Sequence, residues 1–345
     1  MNIIHQQARI TELAIHHAGN PALEDETVVY DHLVSVDASL EKVLLRYIFQ
    51  MVQSPEIYQL NRDMGSHETH EIVDSLLAGE SGFIDATQRL TQFLSRHSNH
   101  PKIKSGELLV ARIDQVMIDD EMVSAMAMIK MESQRDFMQI DHRRGSTSLQ
   151  LLYGFDPRTI DKGCVVLGTE KEDGYMVYAQ DKSSRGTEAK FWMQDFLGIQ
   201  RRSDTYYRTE GIIDATRQFV HSHLKPTYDM DKTDEAHIMD RSRRYLESRH
   251  QYDADTYAAD VFETTEIAEQ FQEYRDDYEQ EMEVPVKEAF AIHPAAVKRS
   301  AKYFRSVIKL DRNFHVYVHG DRNQIQKGTD ETGRKFYKLY FDQES

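Results

Sequence analysis

The spacing of apolar residues along the chain switches between two periods, and each switch predicts a new kind of element. After an extended start over Ile3 to Ile15, Leu40, Val43, Leu44, Tyr47, Ile48, Met51 and Val52 recur at the intervals of one helix face. Asp37 or Ser39 offers the N-cap oxygen for this helix, and Pro55 closes the stretch. Two more helices are predicted over 68–78, stopped by Gly79, and over 83–96. The period then shortens. Glu107 to Ile118 and Met122 to Met131 are rich in Val, Ile, Leu and Met and flank Asp119-Asp120-Glu121, the composition of a β-hairpin. Further strands are predicted over 148–153, 164–168 and 175–179. Helical spacing returns from Thr187, where Phe191, Trp192, Phe196 and Leu197 share a face that Gly198 ends. A longer helix covers 204–223 and stops at Pro226, and a short one covers 254–261. The charge-rich stretches 234–249 and 264–281 read as solvated helices. A helix beginning at Pro294 precedes strands over 307–310, 315–318, around Ile325 and over 336–341.

This order predicts an α+β protein. A mainly helical N-terminal region (1–104) leads into a central antiparallel sheet packed by helices, including the aromatic one (105–225). An acidic helical region (226–285) and a basic C-terminal α/β element with a small β meander (286–345) follow. The hairpin methionines Met117, Met122, Met126, Met128 and Met131 are expected to fill core rather than hold a cofactor. No run reaches the roughly 18 apolar residues of a membrane helix, and Met1 to Arg9 lack a secretory signal's pattern. The expectation is therefore a protein without a membrane partner. Cys164 is the single cysteine, which leaves no internal disulfide and points to a reducing, cytoplasmic compartment.

Charge changes the picture only once it is divided. The whole chain carries 42 Lys and Arg against 58 Asp and Glu, a net of −16. Residues 1–140 hold a net of −10, residues 141–225 +1, residues 226–285 −12 and residues 286–345 +5. An acidic total thus conceals a basic C-terminal block and a neutral centre, where a polyanion has room to bind.

The segment Ala189-Lys190-Phe191-Trp192-Met193-Gln194-Asp195-Phe196-Leu197-Gly198 resembles the aromatic-Met-Asp-Phe-Leu-Gly helix of bacterial nucleoid-associated proteins of the NdpA/YejK type. The resemblance extends to the hairpin over 106–131, the strands around Val165 and Tyr178, the helices to about Phe262 and the closing Phe336-Tyr337-Lys338-Leu339-Tyr340-Phe341. It implies nucleoid association and DNA binding without strong sequence preference. It transfers no residue-level DNA site.

The candidate DNA contacts are basic clusters. Arg143 and Arg144 stand with Lys182, Arg185 and Lys190, Arg201 and Arg202 with Arg208, and Lys298, Arg299, Lys302 and Arg305 with Lys309 and Arg312. Lysines and arginines so grouped track phosphates and release counterions, which gives salt-dependent affinity. Tyr303, Phe304, Tyr337 and Tyr340 would add stacking on single strands. The expected role is non-enzymatic, with no cofactor and no metal. DNA, DNA-processing proteins and a second copy of the chain are the expected partners, and acidic helices docking a protein are the alternative. An enzymatic alternative is a metal-dependent nuclease in which Glu188 and Lys190 form an E-x-K half-site with Asp173 or Asp181. The helix-opening position of Glu188 explains that residue equally well. The 16 histidines include His16-His17, His67/His70, His97/His100 and His221/His223, none completing a metal motif, and are expected to be exposed or capping.

Overall fold

The structure, a computed structural model, describes residues 3–143, 146–182, 190–228, 230, 232–282, 284–286, 289–304, 306–310, 314–318, 325–341 and 343. Two compact units divide the chain, residues 1–202 and 203–345, and each has its own core. Both are mixtures of helix and antiparallel strand, the α+β class expected.

The first unit is built on an eight-stranded antiparallel sheet. Its strands are β1 (Ile3–Ile4), β2 (Arg9–Ala18), β3 (Tyr58–Leu60), β4 (Gly106–Ile118), β5 (Glu121–Met131), β8 (Lys162–Leu167), β9 (Met176–Asp181) and β10 (Ile199–Arg201). They run in the order β1-β4-β5-β8-β9-β3-β10, with β2 also paired to β4. β6 (Gln134–Arg143) and β7 (Ser146–Phe155) pair, among the described residues, only with each other and form a separate ribbon. The predicted 106–131 hairpin is β4–β5, turning at Asp119 with φ 50°. β2 draws ten N-terminal residues into the sheet, so the N-terminal region combines helices with a long strand.

Register explains why these strands read as apolar runs rather than alternating ones. Across the sheet, Ala111, Ala127, Val165 and Tyr178 lie side by side on one face, and Val110, Met128, Cys164 and Ala179 on the other. Both faces are covered, so neither set is free to be polar. The first row packs against α1 (Ala38–Phe49) through Leu45, Ile48 and Phe49. The second packs against α2 (Glu68–Ala78) and α3 (Phe83–His97) through Ile72, Val73, Leu90 and Leu94. α1 starts where Asp37 accepts from the N–H groups of Ser39 and Leu40. α2 ends at Gly79 with φ 71°, a left-handed cap that suits glycine. Met126 and Met128 are core filler, whereas Met122 is exposed.

The aromatic segment is a widened turn over Phe191–Phe196, in which Leu197 N–H reaches five residues back to Trp192 O at 3.0 Å. Phe191, Trp192 and Phe196 are fully buried. Their turn is latched to α2: Thr69 Oγ1 donates to Phe196 O, and His70 Nε2 donates to Leu197 O at 3.1 Å and Gly198 O at 3.0 Å. Gly198, at φ 60°, leaves no room for a Cβ, which would fall 2.6 Å from His70 Nε2. The expectation of exposed or capping histidines is thus corrected here. His16 and His70 are buried because the interior supplies a hydroxyl to His16 and carbonyls to His70 as partners, and His67 is buried stacked on His70 at 4.4 Å.

The second unit consists mainly of helices: α4 (Thr205–Phe219), α5 (Lys232–Ser248), α6 (Ala254–Val261), α7 (Thr265–Met282), α8 (Pro294–Arg299) and α9 (Ala301–Phe304). α4 continues through a wide turn, Val220–Leu224, into Lys225–Tyr228, so Pro226 does not end it. Such a turn relieves the demand for a proline N–H and the clash with the preceding turn. The acidic helices are not merely solvated. Ile238, Met239, Tyr245 and Leu246 of α5 and Phe271 and Tyr278 of α7 build the core with Phe219 and Tyr257. The described residues of this unit also form three short antiparallel pairs: β11 (Gln251–Tyr252) with β12 (Phe290–Ala291), β13 (Ser306–Leu310) with β14 (Phe314–Val318), and β15 (Ile325–Thr329) with β16 (Lys335–Leu339).

The buried latch carries a pH signature. Burial, helped by His67, lowers the His70 pKa to about 4, from 6.5. The native state therefore resists a proton that the unfolded chain accepts, and stability falls as pH drops from 6.5 towards 4. The loss from this residue is on the order of 3 kcal/mol. His16 and His67, also lowered by burial, act with the same sign. Urea denaturation across this window should show a shallower pH dependence for His70→Gln than for the wild type.

Candidate nucleic-acid interface

At one end of the sheet, strand register forces charged residues side by side. Lys130 on β5 lies opposite Lys162 on β8, which lies opposite Asp181 on β9. Two adjacent ammonium groups inside a covered sheet require carboxylates, and these are present. Lys130 Nζ is 3.0 Å from Glu132 Oε1, Lys162 Nζ is 3.8 Å from that same oxygen, and Lys162 Nζ donates to Asp181 Oδ1 at 3.0 Å. All four side chains are nearly or fully buried. Lys130 also donates to Lys104 O and sits 5.1 Å from the centroid of Phe191, a cation–π contact. Burial lowers the Lys130 pKa, and Glu132 opposes that shift.

Above this neutralised floor lies a recess of about 290 Å³ lined by Lys102, Ile103, Lys104, Glu132, Ser133, Asp161, Lys162 and Lys182. Lys102, Lys104 and Lys182 are exposed and make no ion pair among the described residues. The Asp161 carboxylate is held by the N–H groups of Glu132 at 2.9 Å and Ser133 at 3.0 Å, and Lys182 N–H donates to Asp161 O. Three lysines without an ion pair among the described residues thus line one opening beside the Asp161 carboxylate. Chemically, this arrangement suits an oxyanion such as a phosphate diester.

Of the predicted contacts, Lys182 lines the recess, and Lys190 is exposed where the aromatic turn begins. Arg143 ends β6, with its side chain outside the described set, and Arg144, Arg185 and Arg305 lie outside the described residues. Arg201 is half-buried on β10. Arg202 is paired with Glu170, so its charge is already spent within the fold. In the second unit, Lys298 and Arg299 are exposed on α8, and Arg299 Nη1 donates to Tyr206 Oη at 3.4 Å. Arg208 is half-buried on α4. Ser300 separates α8 from α9, which holds Lys302, and Lys309 belongs to β13. Lys298, Lys302 and Lys309 thus belong to three different elements, and Arg312 lies outside the described residues.

Lys102 and Lys104 escaped the sequence reading because they sit in the segment of net −10. Their only local signal is the alternation Lys102-Ile103-Lys104, in which buried Ile103 anchors the loop and turns both lysines outward. For the nuclease alternative, Glu188 lies outside the described residues. Asp173 precedes β9, and Asp181, which ends it, is paired with Lys162. Among the described residues no three His, Cys, Asp or Glu side chains gather as a metal site. No helix of those residues is long and apolar enough to cross a membrane.

Fold and charge define the class: a two-unit α+β protein on a doubly covered antiparallel sheet, with lysines at one end. Over residues 15–332 the sequence matches the family described as nucleoid-associated protein YejK, and the chain belongs to that family. Membership gives it a nucleoid-associated role. A search of curated proteins found no match.

The floor of the recess has a measurable consequence. Lys130→Met and Glu132→Gln should each lower the unfolding free energy by about 3 kcal/mol, because each strands a buried charge. The double variant should lose less than the sum of the two, as read by urea denaturation.

Proposed function

We propose that the protein associates with DNA largely without sequence preference, through phosphate contacts from local basic surfaces. The observation that carries this reading is the lysine-rimmed recess on a nucleoid-associated protein whose net charge is −16. In the first unit Lys102, Lys104 and Lys182 take the phosphates, and Lys190 extends the basic surface. In the second, Lys298 and Arg299 supply a further patch, with Lys302 on the next helix. Acidic faces elsewhere repel the polyanion and so fix its orientation. The role is non-enzymatic, set in the cytoplasm at the nucleoid. DNA-processing proteins and a second copy of the chain are its further partners.

A salt titration of duplex binding tests this. Affinity for unrelated duplexes should fall steeply with salt. Lys102→Gln, Lys104→Gln and Lys182→Gln together should weaken all sequences alike and reduce the log–log salt slope by about 0.9 per lost phosphate contact, roughly 2–3 in total. Charge reversal at Lys298 and Arg299 reads the second patch in the same way. Absence of a shift, or an unchanged slope in both variants, would overturn the proposal. Duplex incubated with the protein and Mg²⁺ or Mn²⁺ should stay intact. Cleavage that disappears in Lys190→Ala would instead assign the nuclease chemistry.

A further inference from the structure

Among the described residues, the β6–β7 ribbon presents a long apolar surface that stays exposed. Ten residues pair with ten, from Gln134↔Phe155 to Arg143↔Ser146, and among the described residues neither strand pairs with any other. Cross-strand partners share a face. One face therefore carries Asp136 with Tyr153, Met138 with Leu151, Ile140 with Leu149, and His142 with Thr147. The five large apolar side chains of this face are 53% to 76% exposed. A lone two-stranded hairpin is marginal in water, and soluble monomers seldom show contiguous apolar patches beyond a few hundred Å². Here five side chains offer on the order of 100 Å² each, so two such faces together would bury about 1,000 Å², the size at which specific interfaces begin.

We infer that this face is an isologous docking surface for a second copy of the chain. The order of residues makes it complementary to itself. A twofold axis at the level of Gln139 sets Met138 and Leu151 of one copy against Ile140 and Leu149 of the other. The same axis brings Asp136 of each copy to His142 of the other, opposite in charge when the imidazole is protonated. Between Tyr153 and Leu149 the face holds no charged side chain, so it meets its own copy without repulsion despite a net charge of −16 per chain. That lack of cations also makes it a poor phosphate surface. The opposite face, with Arg135, Gln139, Asp141, Ser148 and Gln150 beside Phe137 and Leu152, is left to solvent. This inference is independent of the DNA reading.

Sedimentation equilibrium of the full chain at micromolar concentration tests it. The wild type should dimerise, and Ile140→Asp or Leu149→Asp should weaken association at least about 100-fold. Gln150→Glu on the other face should leave it unchanged. Because an aspartate on the ribbon could also disturb folding, a second arm uses cysteine pairs. Met138→Cys with Ile140→Cys should form intermolecular disulfides on mild oxidation, and Gln139→Cys should not. A monomeric wild type at tens of micromolar would overturn the inference. So would dimers untouched by either aspartate, or cross-linking no stronger at positions 138 and 140 than at 139. A monomeric wild type whose DNA or vesicle binding is lost on Leu149→Asp substitution would overturn it too and give the face to that other ligand.

Discussion

Two lysines in register, Lys130 and Lys162, lie inside a sheet whose faces are both covered, and the organisation of the first unit's charged end follows from neutralising them. Left alone, each buried ammonium would cost several kcal/mol. Glu132 approaches both, Asp181 takes Lys162, and Phe191 lends its π-face to Lys130. The aromatic turn thereby closes a hydrophobic core and also covers a charged one. With the floor neutral, three rim lysines without an ion pair among the described residues, Lys102, Lys104 and Lys182, outnumber the one rim carboxylate, Asp161.

The same turn joins that charged end to the helical layer. Thr69 and His70 bind the carbonyls of Phe196, Leu197 and Gly198, which a regular helix would have used internally or left to a cap. A histidine serves well there because it donates while neutral, and burial keeps it neutral down to about pH 4. The first unit thus depends on buried polar groups, Lys130, Lys162, Thr69 and His70 among them, whose partners lie within the fold. The second has a different logic. Its helices carry the chain's densest acidic charge outside, while Phe219, Tyr257, Phe271 and Tyr278 fill the inside.

Much of the fold was legible in the residues. Gly79, Asp37 and Asp119-Asp120 are local signals acting on their own neighbours, and α1, α2, α3 and the β4–β5 hairpin begin or end within a residue or two of where such signals place them. β6 was not legible. Its alternation of Asp136, Phe137, Met138, Gln139, Ile140 and Asp141 fits neither period cleanly, because one of its faces is apolar without facing this chain's core. Pro226 misled for the opposite reason: a rule about regular helices failed where the preceding turn is wide.

By itself, then, the sequence determined element types, the α+β class, the segregation of charge and the resemblance that family membership confirms. These depend on neighbours along the chain, or on sums over segments. Tertiary structure decided which charges remain available. Arg202, basic in the sequence, is matched by Glu170 thirty-two residues away, whereas Lys102 and Lys104, hidden in an acidic segment, reach the same recess as Lys182. Whether a charge is free is a property of its partners in space, and strand register sets those partners across distances that no local pattern encodes.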